Sequence, residues 1–279
     1  MTTIQLAPES IVEARPRGPL GRAVAAEVTK VRSVRSTVWT LLVAAAATIG
    51  IGAVFCLAEV ARWDRLSPHA RAAFDPTLQS LNGIALAQLA IGVLGVLMVS
   101  SEYGTGLIRS TLSAVPRRGV VLGSKIAVFA AVAFVVALVS CFAAFGVGQA
   151  ILGSKGIGVS IGSPGALRAV FGGAVYLTAI GLLGLALGTL LRRTAAAIAV
   201  LLGIVLVLPT LTHALPSPWG TDVTKFMPSQ AGEALYSVQH ASATVPGDLL
   251  PPWAGLAVLV GYVAVALIAA TLVFLHRDT

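Results

Sequence analysis

The chain has 279 residues, 57% of them hydrophobic and only 11% charged, with a mean hydropathy of +0.91. A soluble domain carries about 25% charged residues, so these charges are too few to coat a water-facing surface, and the apolar runs leave no length for a soluble catalytic domain. The net charge of +8 and the pI near 10.2 fit a membrane protein, which gathers Lys and Arg in its cytoplasmic loops, and no nucleic-acid partner is expected.

Residues 1–18 are mixed and basic, with Pro8 and Pro16 and no apolar core of a signal peptide. They are expected to form a disordered cytoplasmic tail, and the first hydrophobic span to act as an uncleaved anchor. Residues 19–36 predict an amphipathic helix on the membrane surface. Leu20, Val24, Val28, Val31 and Val34 recur at helical spacing, while Arg22, Lys30, Arg32 and Arg35 are placed to meet anionic lipid headgroups. Glu27 falls inside the apolar stripe, so it either pairs with Lys30 one turn on or faces a protein partner.

About 20 mostly apolar residues cross the ~30 Å hydrocarbon layer as a helix. Six runs qualify: 38–57, 83–99, 120–149, 169–191, 195–211 and 253–275. The fourth and fifth are separated only by Arg192, Arg193 and Thr194, which predicts a tight helical hairpin, and Pro209 is expected to stop the fifth. Of the nineteen Lys and Arg residues, thirteen fall on the side of the termini and six on the other, which places both termini and the 276–279 tail in the cytoplasm. The expected fold is therefore an all-α integral membrane protein with six transmembrane helices. Gly184 and Gly188 have the small-xxx-small spacing of close helix contacts. Cys56 and Cys141 lie inside apolar runs and read as small buried hydrophobes.

The loop 101–118, SEYGTGLIRSTLSAVPRR, is expected on the cytoplasmic side. Ser100 or Ser101 is placed to close the preceding helix, and Gly104 and Gly106 permit a turn. A short helix then fits from Thr105 to Val115, with Ile108 and Leu112 on one side and Arg109 on the other, until Pro116 ends it. Such a helix suits a cytoplasmic partner, though a plain amphipathic connector fits equally well. On the other side, residues 58–82 and 212–252 are long enough to form a small lid. In the latter, Ser229 is expected to cap a helix.

No predicted span core carries an Asp, Glu, Lys, Arg or His, with Glu59, Glu102 and Lys125 at span ends. Intramembrane hydrolases and ion-coupled carriers need ionisable groups at depth, so neither is expected. No GxxxxGK[ST] loop occurs, so energy for uphill transport would come from another polypeptide.

Two stretches carry a family resemblance. EVTKVRSVRSTVWTLL, from Glu27 to Leu42, resembles the amphipathic helix and first span of type-2 ABC exporter permeases of high-GC Gram-positive bacteria. Residues Phe74 to Lys125, containing VSSEYGTGLIRSTLSAVPRRG, are similar to the second span and following loop of that family. MPSQAG at Met227 and the terminal HRDT add weaker likeness. The resemblance implies a permease subunit of the plasma membrane that binds no cofactor itself and pairs with a second permease copy, alike or related. It also implies a separate ABC ATPase carrying ATP and Mg. The coupling segment would comprise Glu102, Tyr103, Thr105, Ile108, Arg109, Leu112, Pro116, Arg117 and Arg118. Glu27, Lys30, Arg32 and Arg35 would belong to the surface helix beside it. Gln88 in the second span would line the substrate path or bond a neighbouring helix. An ATPase-independent channel or carrier, and a membrane anchor or regulatory subunit, are the alternative readings.

Overall fold

A computed structural model describes residues 18–107, 118–213, 216, 219–238 and 249–276. Among these there is no strand. The helices are α1 (Pro19–Ser33), α2 (Arg35–Arg62), α3 (Pro68–Ala72), α4 (Pro76–Leu81), α5 (Ile84–Thr105), α6 (Arg118–Gly153), α7 (Ala166–Leu191), α8 (Thr194–Leu202), α9 (Leu208–His213), α10 (Trp219–Thr224), α11 (Pro228–Tyr236) and α12 (Pro252–His276). Six of the resulting segments are long and apolar enough to cross a membrane: α2, α5, α6, α7, the α8–α9 unit and α12. Six such crossings would put α1 and the end of α12 on one side, called here the terminus side; the opposite side is the far side.

The fourth span, α7, is the axis of the bundle. It packs against α5, α6, α12, α11 and α8. Of its most apolar stretch 72% is buried, against 17% for α12 and 22% for the fifth span, so the last two turn most of their surface outward. The reason lies in small residues. A Cβ on Gly184 would run into the carbonyl oxygen of Gly92, one on Gly95 into that of Gly181, and one on Gly188 would lie 2.7 Å from that of Val96. α5 and α7 therefore touch backbone to backbone, and the Gly184/Gly188 spacing does mark a close helix contact. Burial around this seam gathers Ile84, Ile91, Tyr176, Leu177, Ile180 and Leu185 into one core.

Several helix ends differ from those expected. α5 does not close at Ser100 or Ser101 but runs on through Gly104 to Thr105, and ends at Gly106 in the left-handed region (φ 72°). The hydroxyls of Ser101 and Thr105 donate to the carbonyls of Leu97 and Ser101, at 2.6 and 2.9 Å, so they fit the helix interior, and only Gly106 supplies the αL cap. Ser229 does not cap α11. Met227, extended at φ −66° and ψ 144°, occupies the cap position, because Pro228 is suited to the first helical position and forces its predecessor out of the helical region.

Pro209 does not stop the fifth span. The helix continues to His213, preceded by a π-helical turn over Gly203–Val207. A proline lacks the N–H for the carbonyl four residues back and its ring crowds that carbonyl, here Val205; the wider π turn removes the conflict. On the far side lie the short helices α3, α4, α10 and α11, of which α4 and α11 pack against the spans and touch each other. Asp75 caps α4 through Thr77 N–H and Leu78 N–H (2.9 and 3.0 Å) and accepts from Val238 N–H at 2.7 Å, which ties the two far-side loops together. Cys56 and Cys141 are buried and free.

Candidate functional site

The end of α5 on the terminus side is held by a closed ring of four charges. Lys125, seven residues into α6, is only 2% exposed. Its ammonium donates to Glu27 Oε2 and to Glu102 Oε1, both at 2.8 Å. Lys30 donates to the same Glu102 oxygen at 2.9 Å and to Glu27 Oε1 at 3.1 Å. Two acids and two bases alternate, so the ring is neutral overall. That balance is what allows burial, since an unpaired charge taken from water costs several kcal/mol.

Each member comes from a different local logic. Glu27 sits in the apolar stripe of α1 because that stripe lies against α6, with Ala23, Glu27 and Val31 all buried. The Glu27–Lys30 pair is present, but as two corners of a larger cluster. On the rest of α1, Leu20, Val28 and Arg32 are exposed, as are Val34 at its C-cap and Arg35 at the start of α2. Burial alone would push the Lys30 ammonium toward losing its proton, but the hydrogen bonds and charges of Glu102 and Glu27 outweigh it and hold this lysine above the usual range.

The other side of the α5 terminus is held by the hairpin between the fourth and fifth spans. Arg192, in the left-handed region at φ 54°, places its guanidinium carbon 5.1 Å from the centre of the Tyr103 ring, a cation–π contact. Thr194 Oγ1 lies 2.9 Å from Ser100 Oγ. The last turn of α5 is thus clamped by α1, α6 and the α7–α8 turn together. A cavity of about 320 Å³ lies beside the ring, between α1, the start of α2 and α5, with Val31, Thr37, Leu94, Met98 and Glu102 in its walls.

Of the residues predicted for the coupling segment, Glu102 and Tyr103 converge on this clamp. Thr105 lies at the end of α5, and Arg118 begins α6. Ile108, Arg109, Leu112, Pro116 and Arg117 lie outside the described residues, as does the short helix expected there. Gln88 is elsewhere: it is buried in the α5–α7 contact, where its Oε1 accepts from the Tyr176 hydroxyl and its Nε2 donates to Ala85 O at 3.0 Å. Sequence reasoning passed over Lys125 as a span-end cation. The signal available was a lysine set between apolar residues, Val121 and Leu122 before it and Ile126 and Val128 after it. Among the described residues no group of three His, Cys, Asp or Glu side chains could hold a metal ion.

Comparison with known families gives one match. Residues 23–210 fit the family described as ABC-2 family transporter protein, a stretch that takes in most of α1, the clamp, the first four spans and nearly all of the fifth. No curated protein matches the chain. The match covers more than half of the sequence, and the chain belongs to this family: it is a multi-pass membrane component of a transporter and is not itself catalytic.

Proposed function

We propose that this ABC-2 family member is the permease subunit of an ATP-driven exporter in the plasma membrane. It works with a second permease copy and with a separate ATPase that binds ATP and Mg. The termini and the segment 101–118 face the cytoplasm, where that segment docks on the ATPase. Closure of two ATPases on ATP would then displace the segment, and the displacement would pass to the spans. Substrates of hydrophobic or amphipathic character suit a chain whose spans carry so few polar groups.

The observation that supports this reading is the bridge made by Lys125 between Glu27 and Glu102. A segment that only joined two spans would need no anchorage. Here the helix turn from which it departs is fixed to α1 and α6 by buried charges, and removing one partner of such a pair costs about 3–5 kcal/mol. A push on the segment therefore moves three helices as one body instead of fraying the end of α5. This is the coupling of a remote ligand to a two-state element that the mechanism requires.

The test is a pull-down of the tagged full chain in mild detergent from its native host, followed by reconstitution with the co-purifying subunits. An abundant chain with a phosphate-binding loop, and vesicle transport that needs ATP, support the exporter. Passive flux without ATP, or a preparation free of any ATPase in several detergents, would refute it.

A further inference from the structure

On the face of the bundle away from α5's terminus-side clamp, an open groove runs along α12 where it packs on α7 and meets α6. Its far-side part has a volume of about 560 Å³ and is walled by Phe142, Phe171, Val175, Trp253 and Leu256. The part nearer mid-membrane, about 380 Å³, is walled by Phe134, Val175, Leu182, Leu256 and Leu267. Val175 and Leu256 belong to both, so the groove is continuous. From Trp253 to Leu267 it follows α12 for roughly 21 Å at 1.5 Å per residue, more than the ~15 Å half-thickness of the hydrocarbon layer.

The walls are hydrocarbon throughout. Thr178, which also lines the groove, turns its hydroxyl to its own helix and donates to Ala174 O at 2.8 Å. The exception stands at the far-side mouth, where Arg168 is half-buried. Its guanidinium donates to the carbonyls of Ala234 (3.4 Å), Leu235 (3.1 Å) and Ser237 (2.9 Å). Those bonds use part of its five N–H groups and leave its positive charge without an ion-pair partner among the described residues. Asp75 is near enough for its charge to act on Arg168, but its oxygens accept from the backbone of Thr77, Leu78 and Val238. Trp253, 76% exposed, stands at the same level, where amphipathic rings meet headgroups.

We propose that this groove is a binding site for one phospholipid of the far-side leaflet, its acyl chain lying between α12 and α6–α7 and its phosphate on Arg168. The two continuous parts, about 560 and 380 Å³, give room for a single acyl chain along α12. Charge selects the headgroup, because an arginine fork matches phosphate geometry.

Native mass spectrometry of the delipidated full chain tests the site, using palmitoyl-oleoyl phosphatidylglycerol and the diacylglycerol with the same chains. The wild type is expected to retain the phospholipid at least about tenfold more than the diacylglycerol, the ratio that ~1.4 kcal/mol of charge-assisted bonding supplies. Val175→Phe and, from the opposite wall, Leu256→Phe fill the groove and are expected to abolish retention. Arg168→Gln is expected to bring the two lipids level. Circular dichroism melting confirms folding, and should Arg168→Gln not fold, the wild-type comparison of the two lipids decides the headgroup. Equal retention of both lipids by the wild type overturns the proposal. So does retention unmoved by both groove-filling variants, which would mean ordinary boundary lipid.

Discussion

Glu27 and Lys125 lie 98 residues apart in the chain and 2.8 Å apart in space. Helix α1 and the third span are thereby joined, and Glu102 closes the same ring from the second. Because Lys125 is the most buried of the two cations, Lys125→Met is expected to leave Glu27 and Glu102 facing one another with only Lys30 between them. The penalty should be about 3–5 kcal/mol, read as a lowered midpoint in thermal or denaturant melting of the detergent-purified chain. A loss below 1 kcal/mol would mean that water reaches the cluster and that the ring is not a buried clamp.

Glu102→Ala separates transmission from folding. Lys125 and Lys30 keep Glu27 as a partner, so insertion is expected to persist, whereas ATP-driven transport in reconstituted vesicles should be lost. Failure to insert would make Glu102 a structural residue with no special part in coupling.

Gly184→Ala places a Cβ against the Gly92 carbonyl, a backbone atom that cannot swing aside. Overpacking of this kind costs about 1–3 kcal/mol. Gly261→Ala in α12 meets nothing within 4 Å and should be neutral or stabilise by up to about 1 kcal/mol. Melting of both variants beside the wild type is the check, and equal effects would show that α5 and α7 can separate at no cost.

The six spans, a helix beginning at Pro19 and the close-contact spacing of Gly184 and Gly188 were legible in the sequence because apolar length and small-residue spacing are local properties, whereas the partner of those glycines, α5, was not. Helix ends were less so. Ser101 read as an end of the second span and Thr105 as the start of a separate helix, yet each satisfies its hydroxyl on a carbonyl one turn back within α5. The clamp was half legible. Glu27 drew attention as an acid inside an apolar stripe and Glu102 only through the family resemblance, but Lys125 gains its meaning from residues 23 and 98 positions away, and no local pattern carries that. Gln149 shows the same limit on the far side: it donates to Pro76 O and Ser80 Oγ, both at 2.9 Å, and accepts from Val159 N–H at 2.7 Å, stitching three segments that the sequence leaves unconnected.

The π turn in the fifth span is expected to depend on Pro209. Pro209→Ala restores a donor for the Val205 carbonyl and removes the ring that crowds it, so the segment Gly203–Val207 should tighten to α-helix. Hydrogen exchange read by mass spectrometry would report this as slower exchange across residues 203–209. Unchanged exchange would assign the π turn to packing of the span and not to the proline.

Alkaline pH should loosen the clamp through Lys30. Its folded value is raised above the ordinary ~10.4 of a free lysine, so the folded state holds this proton more tightly than the unfolded chain does. The resulting stabilisation is fully present below the unfolded value and disappears as pH rises through the higher folded one. The difference in melting temperature between the wild type and Lys30→Gln should therefore stay constant from neutral pH to about 10 and shrink above it. Lys30 is partly exposed, and salt will screen its share, which makes low ionic strength the better condition. A difference that grew above pH 10 would mean the ammonium is disfavoured in the folded state, and the ring would then have to be held by Lys125 alone.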